Sequence, residues 1–219
     1  MKTISENASF RGTQGVYSHA SKSCNCDMTF ALFLPEEAAN GPVPLLWFLS
    51  GLTCTHENAM TKAGAQAWAA EHGIAVIFPD TSPRGDDVAD DDAYDLGKGA
   101  GFYVDATQDP WKPHFQMRSY IADELPALLA ENFPLDMDAQ SICGHSMGGH
   151  GALTLAMTLP GRYKSVSAFA PIAHPTSSDW GRKQLTAYLG QDEAAWADLD
   201  STLLMEKSGF DGPILIDQG

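Results

Sequence analysis

The chain has 219 residues, 44% apolar and 19% charged, with a formal net charge of −15. That composition is globular, and the length suits one domain, residues 1–219, able to bury roughly 70% of its unfolded surface without disulfide or metal staples. The acidic balance excludes a nucleic-acid partner, which needs a basic footprint, and excludes docking on an anionic membrane surface.

The N-terminal stretch Met1–Phe10 has no apolar core of the signal-peptide kind. The longest clean apolar runs, such as Leu45–Leu49, hold about five residues and are too short to cross a bilayer. Cys24, Cys26, Cys54 and Cys143 are therefore expected as free thiols in a cytoplasmic protein. Met28–Leu34 reads as a strand stopped at Pro35, and Pro44–Ser50 as a buried strand running into Gly51. Asn58–His72 is alanine-rich with helical spacing and ends at Gly73, which predicts one helix. Ile74–Phe78 is a third strand. Thr81–Trp111 carries Asp86, Asp87, Asp90, Asp91, Asp92 and Asp95 and reads as a long surface loop. Its acidic spacing lacks the glycine of a calcium loop, so solvated charge is expected there and no metal. Phe115–Phe133 predicts a helix disturbed at Pro126. Ser141–Gly144 is a short strand, Met147–Leu159 a helix, Val166–Ile172 and Pro213–Asp217 further strands, and Ala173–Trp180 a loop. Strands alternating with helices, and continuous rather than alternating apolar runs, predict an α/β fold: a mostly parallel sheet covered on both faces.

Gly144-His145-Ser146-Met147-Gly148 is a G-x-S-x-G pattern at the predicted strand-to-helix junction. A serine hydroxyl presented for attack needs a sharp turn, and the flanking small residues let strand and helix approach closely enough to make it. The helix N-terminus behind the serine favours negative charge there. A plain helix N-cap would use serine as well, but the strand before and the helix after favour the nucleophile elbow of the α/β-hydrolase fold. On this fold one oxyanion donor is the N–H of the residue after the nucleophile, Met147. The second comes from a loop after an earlier strand, and Ser50-Gly51-Leu52-Thr53-Cys54 stands in that place, with Leu52 N–H as the chosen donor.

Longer segments carry a family resemblance along nearly the whole chain. They include Leu49–Thr55 (LSGLTCT), Pro79–Gly85 (PDTSPRG), Gly99–Thr107 (GAGFYVDAT), Gly144–Ala152 (GHSMGGHGA), Tyr163–Ile172 (YKSVSAFAPI) and Ile214–Gly219 (ILIDQG). The chain resembles the S-formylglutathione hydrolases, the esterase D family. The resemblance implies hydrolysis of S-formylglutathione to glutathione and formate in formaldehyde detoxification, without a cofactor, by a homodimer. It also places Cys54 at the edge of the site, as a thiol-reagent target rather than the nucleophile, and puts Trp180 and His145 with it in the substrate pocket. The loop before Trp180 departs from the family: Cys-Asn-Pro and Cys-Pro-Trp-Gly are replaced by Ala173-His174-Pro175 and Ser178-Asp179-Trp180-Gly181. Glutathione binding or acyl preference is where that change is expected to show.

The triad order on this fold is Ser, then Asp or Glu, then His. After Ser146 the chain holds only His150, one turn into the elbow helix, and His174, which precedes any suitable acid. The family's acid and base correspond to positions beyond Gly219, so the sequence reads as a piece of a longer chain, lacking a last strand and helix. Lys62, Arg84, Lys98, Arg182 and Lys183 are all open as partners for the carboxylates of glutathione. Two rival functions fit the elbow: a broad carboxylesterase, and a non-catalytic protein on the same fold.

Overall fold

A computed structural model describes residues 1–218. Eight strands form one sheet: β1 Lys2–Ser9, β2 Gly12–Ser21, β3 Cys26–Leu34, β4 Val43–Leu49, β5 Ala75–Pro79, β6 Leu135–His145, β7 Tyr163–Phe169 and β8 Ile214–Asp217. Their order across the sheet is β1-β2-β3-β5-β4-β6-β7-β8. The pairings from β1 through β3 to β5 are antiparallel, and those from β5 through β4, β6 and β7 to β8 are parallel. The α/β-hydrolase architecture expected from the sequence is the one observed.

Period-two alternation sorts the side chains onto two faces. On β3, Phe30 and Leu32 enter one apolar cluster while Ala31 and Phe33 enter the other; on β5, Ala75 and Ile77 oppose Val76 and Phe78 in the same way. Helices α1 (His56–Lys62) and α2 (Ala65–His72) cover the second face, through Ala59, Ala69 and Ala70. The first face is covered by α3 (Met117–Ser119), α4 (Leu125–Asn132), α5 (Met147–Thr158) and α7 (Ser201–Lys207); α6 (Asp179–Leu189) packs beside them. No described helix is long and apolar enough to cross a membrane.

Four expectations need correction. The stretch 58–72 is two helices, because Gly64 takes a left-handed φ of 64° that breaks the run. The helix at 115–133 is disturbed at Pro126 as expected, but it starts at Met117 and runs on past the proline to Asn132. One wide turn, Tyr120–Glu124, precedes the proline, and Arg162 Nη1 donates at 2.6 Å to the Ala122 carbonyl, which Pro126 has no N–H to reach. The segment 81–111 is no surface loop. Ala100, Phe102, Tyr103, Val104, Ala106 and Trp111 are buried in the larger cluster, and Tyr188 fixes the segment by accepting from Gly97 N–H and donating to the Ala100 carbonyl. Asp86, Asp87, Asp90, Asp91 and Asp92 are exposed, as expected for solvated charge, but Asp95 is buried between Lys183 Nζ at 2.7 Å and Gln184 Nε2 at 2.6 Å. Finally, 173–180 is not all loop, since Ser178 caps α6 by accepting from Gly181 N–H.

Candidate active site

In the register of β4 and β6, Leu49 stands opposite Gly144. Both strands end there, so the loop after β4 and the turn after β6 leave the carboxyl edge of the sheet side by side. β5 lies to one side of β4 and β6 to the other, which is the crevice where open α/β sheets bind ligands.

Ser146 occupies the turn between β6 and α5 at φ 57° and ψ −117°, a backbone state rarely tolerated by a residue with a Cβ. Its neighbours hold it there. Ser146 N–H donates to the Phe169 carbonyl at 2.9 Å, and its own carbonyl accepts from His150 N–H at 3.0 Å and Ile172 N–H at 3.4 Å. The glycines of the motif are needed for space rather than for φ. A Cβ on Gly144 would collide with the Gly148 carbonyl, and one on Gly148 with the Leu49 carbonyl. On Gly149 it would lie 2.9 Å from Pro171 Cβ, and on Gly151 2.5 Å from the Tyr103 ring. The side chain of Ser146 is half-buried, with α5 opening directly behind it at Met147.

The loop after β4 packs onto this turn. A Cβ on Gly51 would stand 3.2 Å from Ser146 Cβ and 3.2 Å from the His145 carbonyl, so Gly51 and its neighbour Leu52 border the serine. Tyr103, 1% exposed, donates its hydroxyl to the Ser50 carbonyl at 2.9 Å. Thr53 N–H donates to the Gly99 carbonyl at 2.8 Å with Thr53 itself at φ 62°. Phe102 N–H points at Met147 Sδ, 3.3 Å away. The buried segment 97–103 is thus the scaffold of the loop, a role that the sequence did not disclose. Leu52 N–H and Met147 N–H make no backbone hydrogen bond in the turns around the site, Met147 because a first-turn N–H has no partner within its helix.

A cavity of about 240 Å³ opens beside the serine, lined by Ser50, Gly51, Cys54, Lys62 and His145 among others. Cys54 and His145 are both on its wall. Trp180 is not: it packs against Phe102, ring centroids 5.9 Å apart, on the edge of the core. Burial pushes the Cys54 thiol up, and the nearby Lys62 and Arg84 oppose the rise only in part. A protonated, half-buried thiol is a poor nucleophile. All four cysteines are free.

Neither histidine that follows Ser146 serves its hydroxyl. His150 is 1% exposed and makes no hydrogen bond through either ring nitrogen; burial pushes it down to about 4, against the pull of Asp200. His174 gives Nδ1 to Asp200 at 2.8 Å. That carboxylate also accepts from Thr176 Oγ1 and from the N–H groups of Thr176, Thr202 and Leu203. It is thereby held below the usual carboxylate range despite burial, and it caps α7. The acid and base that the resemblance places beyond Gly219 lie outside the described residues, among which no group of three or more His, Cys, Asp or Glu could hold a metal ion.

Known proteins resemble this chain along its length. The Esterase family model matches residues 21–219. The chain is 69% identical over 218 residues to the S-formylglutathione hydrolase of Paracoccus denitrificans (strain Pd 1222), covering 100% of this chain and 78% of that protein. It is 52% identical over 221 residues to the S-formylglutathione hydrolase of Mus musculus, again covering 78% of the relative. The solved structure of an S-formylglutathione hydrolase from Agrobacterium tumefaciens matches with a TM-score of 0.98 and 52% identity, covering 100% of this chain and 79% of that one.

Proposed function

The chain belongs to the esterase family and, within it, to the S-formylglutathione hydrolases, and from that premise we propose that Ser146 is the nucleophile that cleaves the thioester. It is a hydrolase, and its substrate is a small-molecule thioester. The observation that carries the assignment of Ser146 is its backbone: a non-glycine residue held at φ 57° between β6 and α5, which is how this fold presents a catalytic hydroxyl.

In the proposed cycle Ser146 Oγ attacks the formyl carbon as a base takes its proton. The carbonyl oxygen becomes an oxyanion, held by Leu52 N–H and Met147 N–H and by the positive end of α5. The tetrahedral adduct collapses and the C–S bond breaks. Glutathione leaves as a thiolate, and since thiols ionise near pH ~8.5 it needs little help from an acid. Water then attacks the formyl-serine ester, releasing formate and restoring Ser146. Cys54 borders the acyl site and limits its size. The four free thiols suit a reducing, cytoplasmic setting, and the family resemblance supports a homodimer.

The test compares S-formylglutathione with a neutral aryl ester as substrates, each with the full-length protein that carries the base and with its Ser146→Ala variant. Thioester turnover with the higher kcat/KM, lost in the variant, is the expected result. Equal loss-free turnover in the variant would remove Ser146 from the mechanism. A preference for the aryl ester would favour the carboxylesterase reading.

A further inference from the structure

The cavity beside Ser146 has one Lys or Arg on its wall among the described residues, Lys62. Six other cations are paired where they stand: Arg11 with Glu36, Arg84 with Asp80, Lys98 with Asp90, Arg182 with Glu193, Lys183 with Asp95 and Lys207 with Asp198. Arg162 is spent on the Ala122 carbonyl, and it lines, with Lys164, a separate cavity around Met137 and Gln140, at the start of β6 and so at the opposite end of the sheet from Ser146. Lys62 is exposed, and its ammonium has no carboxylate within ion-pair distance among the described residues.

Glutathione carries two carboxylates against one ammonium and must approach a chain of net charge −15. An anion entering that field needs a local cation, and the wall offers this one. From this juxtaposition of an unpaired ammonium with the oxyanion loop and Cys54, we infer that Lys62 binds the glycyl carboxylate of the glutathione moiety. The inference rests on the thioester reading above.

The two carboxylates of glutathione lie at different reach from the sulfur, and Lys62 takes the nearer. Along α1, from His56 to Lys62, the chain rises about 9 Å at ~1.5 Å per residue, which sets the ammonium some way from the serine. A cysteinyl sulfur held at the serine has its glycyl carboxylate one residue on, within about 7 Å of the cysteinyl backbone in an extended peptide. The γ-glutamyl carboxylate lies on the other side, beyond a side-chain-length spacer. Lys62 also sits in the last turn of α1, where a cation complements the helix dipole; that is a structural use, and it predicts no dependence on the ligand.

Calorimetry with non-hydrolysable S-methylglutathione separates the two, using the parent chain, Lys62→Ala, Lys62→Arg and Lys62→Glu. The expected result is binding roughly fivefold weaker in Lys62→Ala, as for a solvent-facing ion pair, weaker still in Lys62→Glu, and near parental in Lys62→Arg. With the glycinamide analogue of the same ligand, the parent and Lys62→Ala should bind alike. Unchanged binding of S-methylglutathione in Lys62→Ala overturns the inference, and equal sensitivity towards the glycinamide analogue overturns the choice of carboxylate. Absence of binding by the parent chain itself would instead sink the glutathione thioester reading, and this inference with it.

Discussion

Ser146 is held in a conformation that costs on the order of 1–3 kcal/mol, and its three backbone hydrogen bonds to Phe169, His150 and Ile172 offset that strain. A Ser146→Gly variant should therefore be at least as stable as the parent while losing all thioester turnover; denaturant midpoints read the first and the assay the second. His150 shows a different residue-scale effect. Its ring is buried without a partner, and burial pushes it down to about 4, below the ordinary 6.5, so the unfolded chain binds the proton more readily than the native one. The stability this group contributes is complete above pH ~6.5 and is lost as pH falls towards 4, by about 3 kcal/mol in all. Burial lowers His19 and His56 as well, so they act in the same direction. Urea midpoints at pH 7 and pH 4.5 should differ strongly in the parent and less in His150→Leu; an unchanged gap would mean that His150 is not the main acid sensor.

At the scale of elements, the crossing of β4, β6 and α5 is set by Gly144 and Gly148, whose missing side chains let backbone meet backbone. Gly148→Ala should destabilise the fold by about 3 kcal/mol, the upper range for overpacking, measured by denaturant unfolding. Tyr103→Phe should cost about 1 kcal/mol through its hydrogen bond to Ser50. Because that bond fixes the loop carrying Leu52, the variant should lower kcat more than it changes KM. The elbow, the strands from β3 to β8 and helix α5 were legible in sequence because their apolar runs are continuous and end at glycine or proline. β1 and β2 were not. β1 is an exposed edge of polar residues, and the buried positions of β2 are Gly15, Tyr17, His19 and Ser21, which show little hydropathy contrast. Segment 81–111 misled because its acidic residues mark only its outer side. Phe102 and Tyr103, at φ 48° and 54°, turn inward under the active-site loop, and nothing local in the sequence announces that.

For the molecule as a whole, the antiparallel half of the sheet gives support and the parallel half carries the chemistry, since the crevice between β4 and β6 exists only where parallel strands end together. The larger cavity, about 600 Å³ around Arg162 and Met137, is at the amino end of these strands, where this fold does not place reacting groups. The whole-molecule charge of −15 makes a cation beside Ser146 matter more than the size of the cavity. In the proposed cycle, attack by Ser146 leaves the formyl group on its Oγ before water releases it. Mixing the full-length protein with S-formylglutathione, quenching in acid and mapping the peptides by mass spectrometry tests that most directly. A single formyl group on Ser146, absent in Ser146→Ala, is the predicted result; a formyl group on Cys54 in place of Ser146, or glutathione release with no formyl-serine at any time, would contradict it.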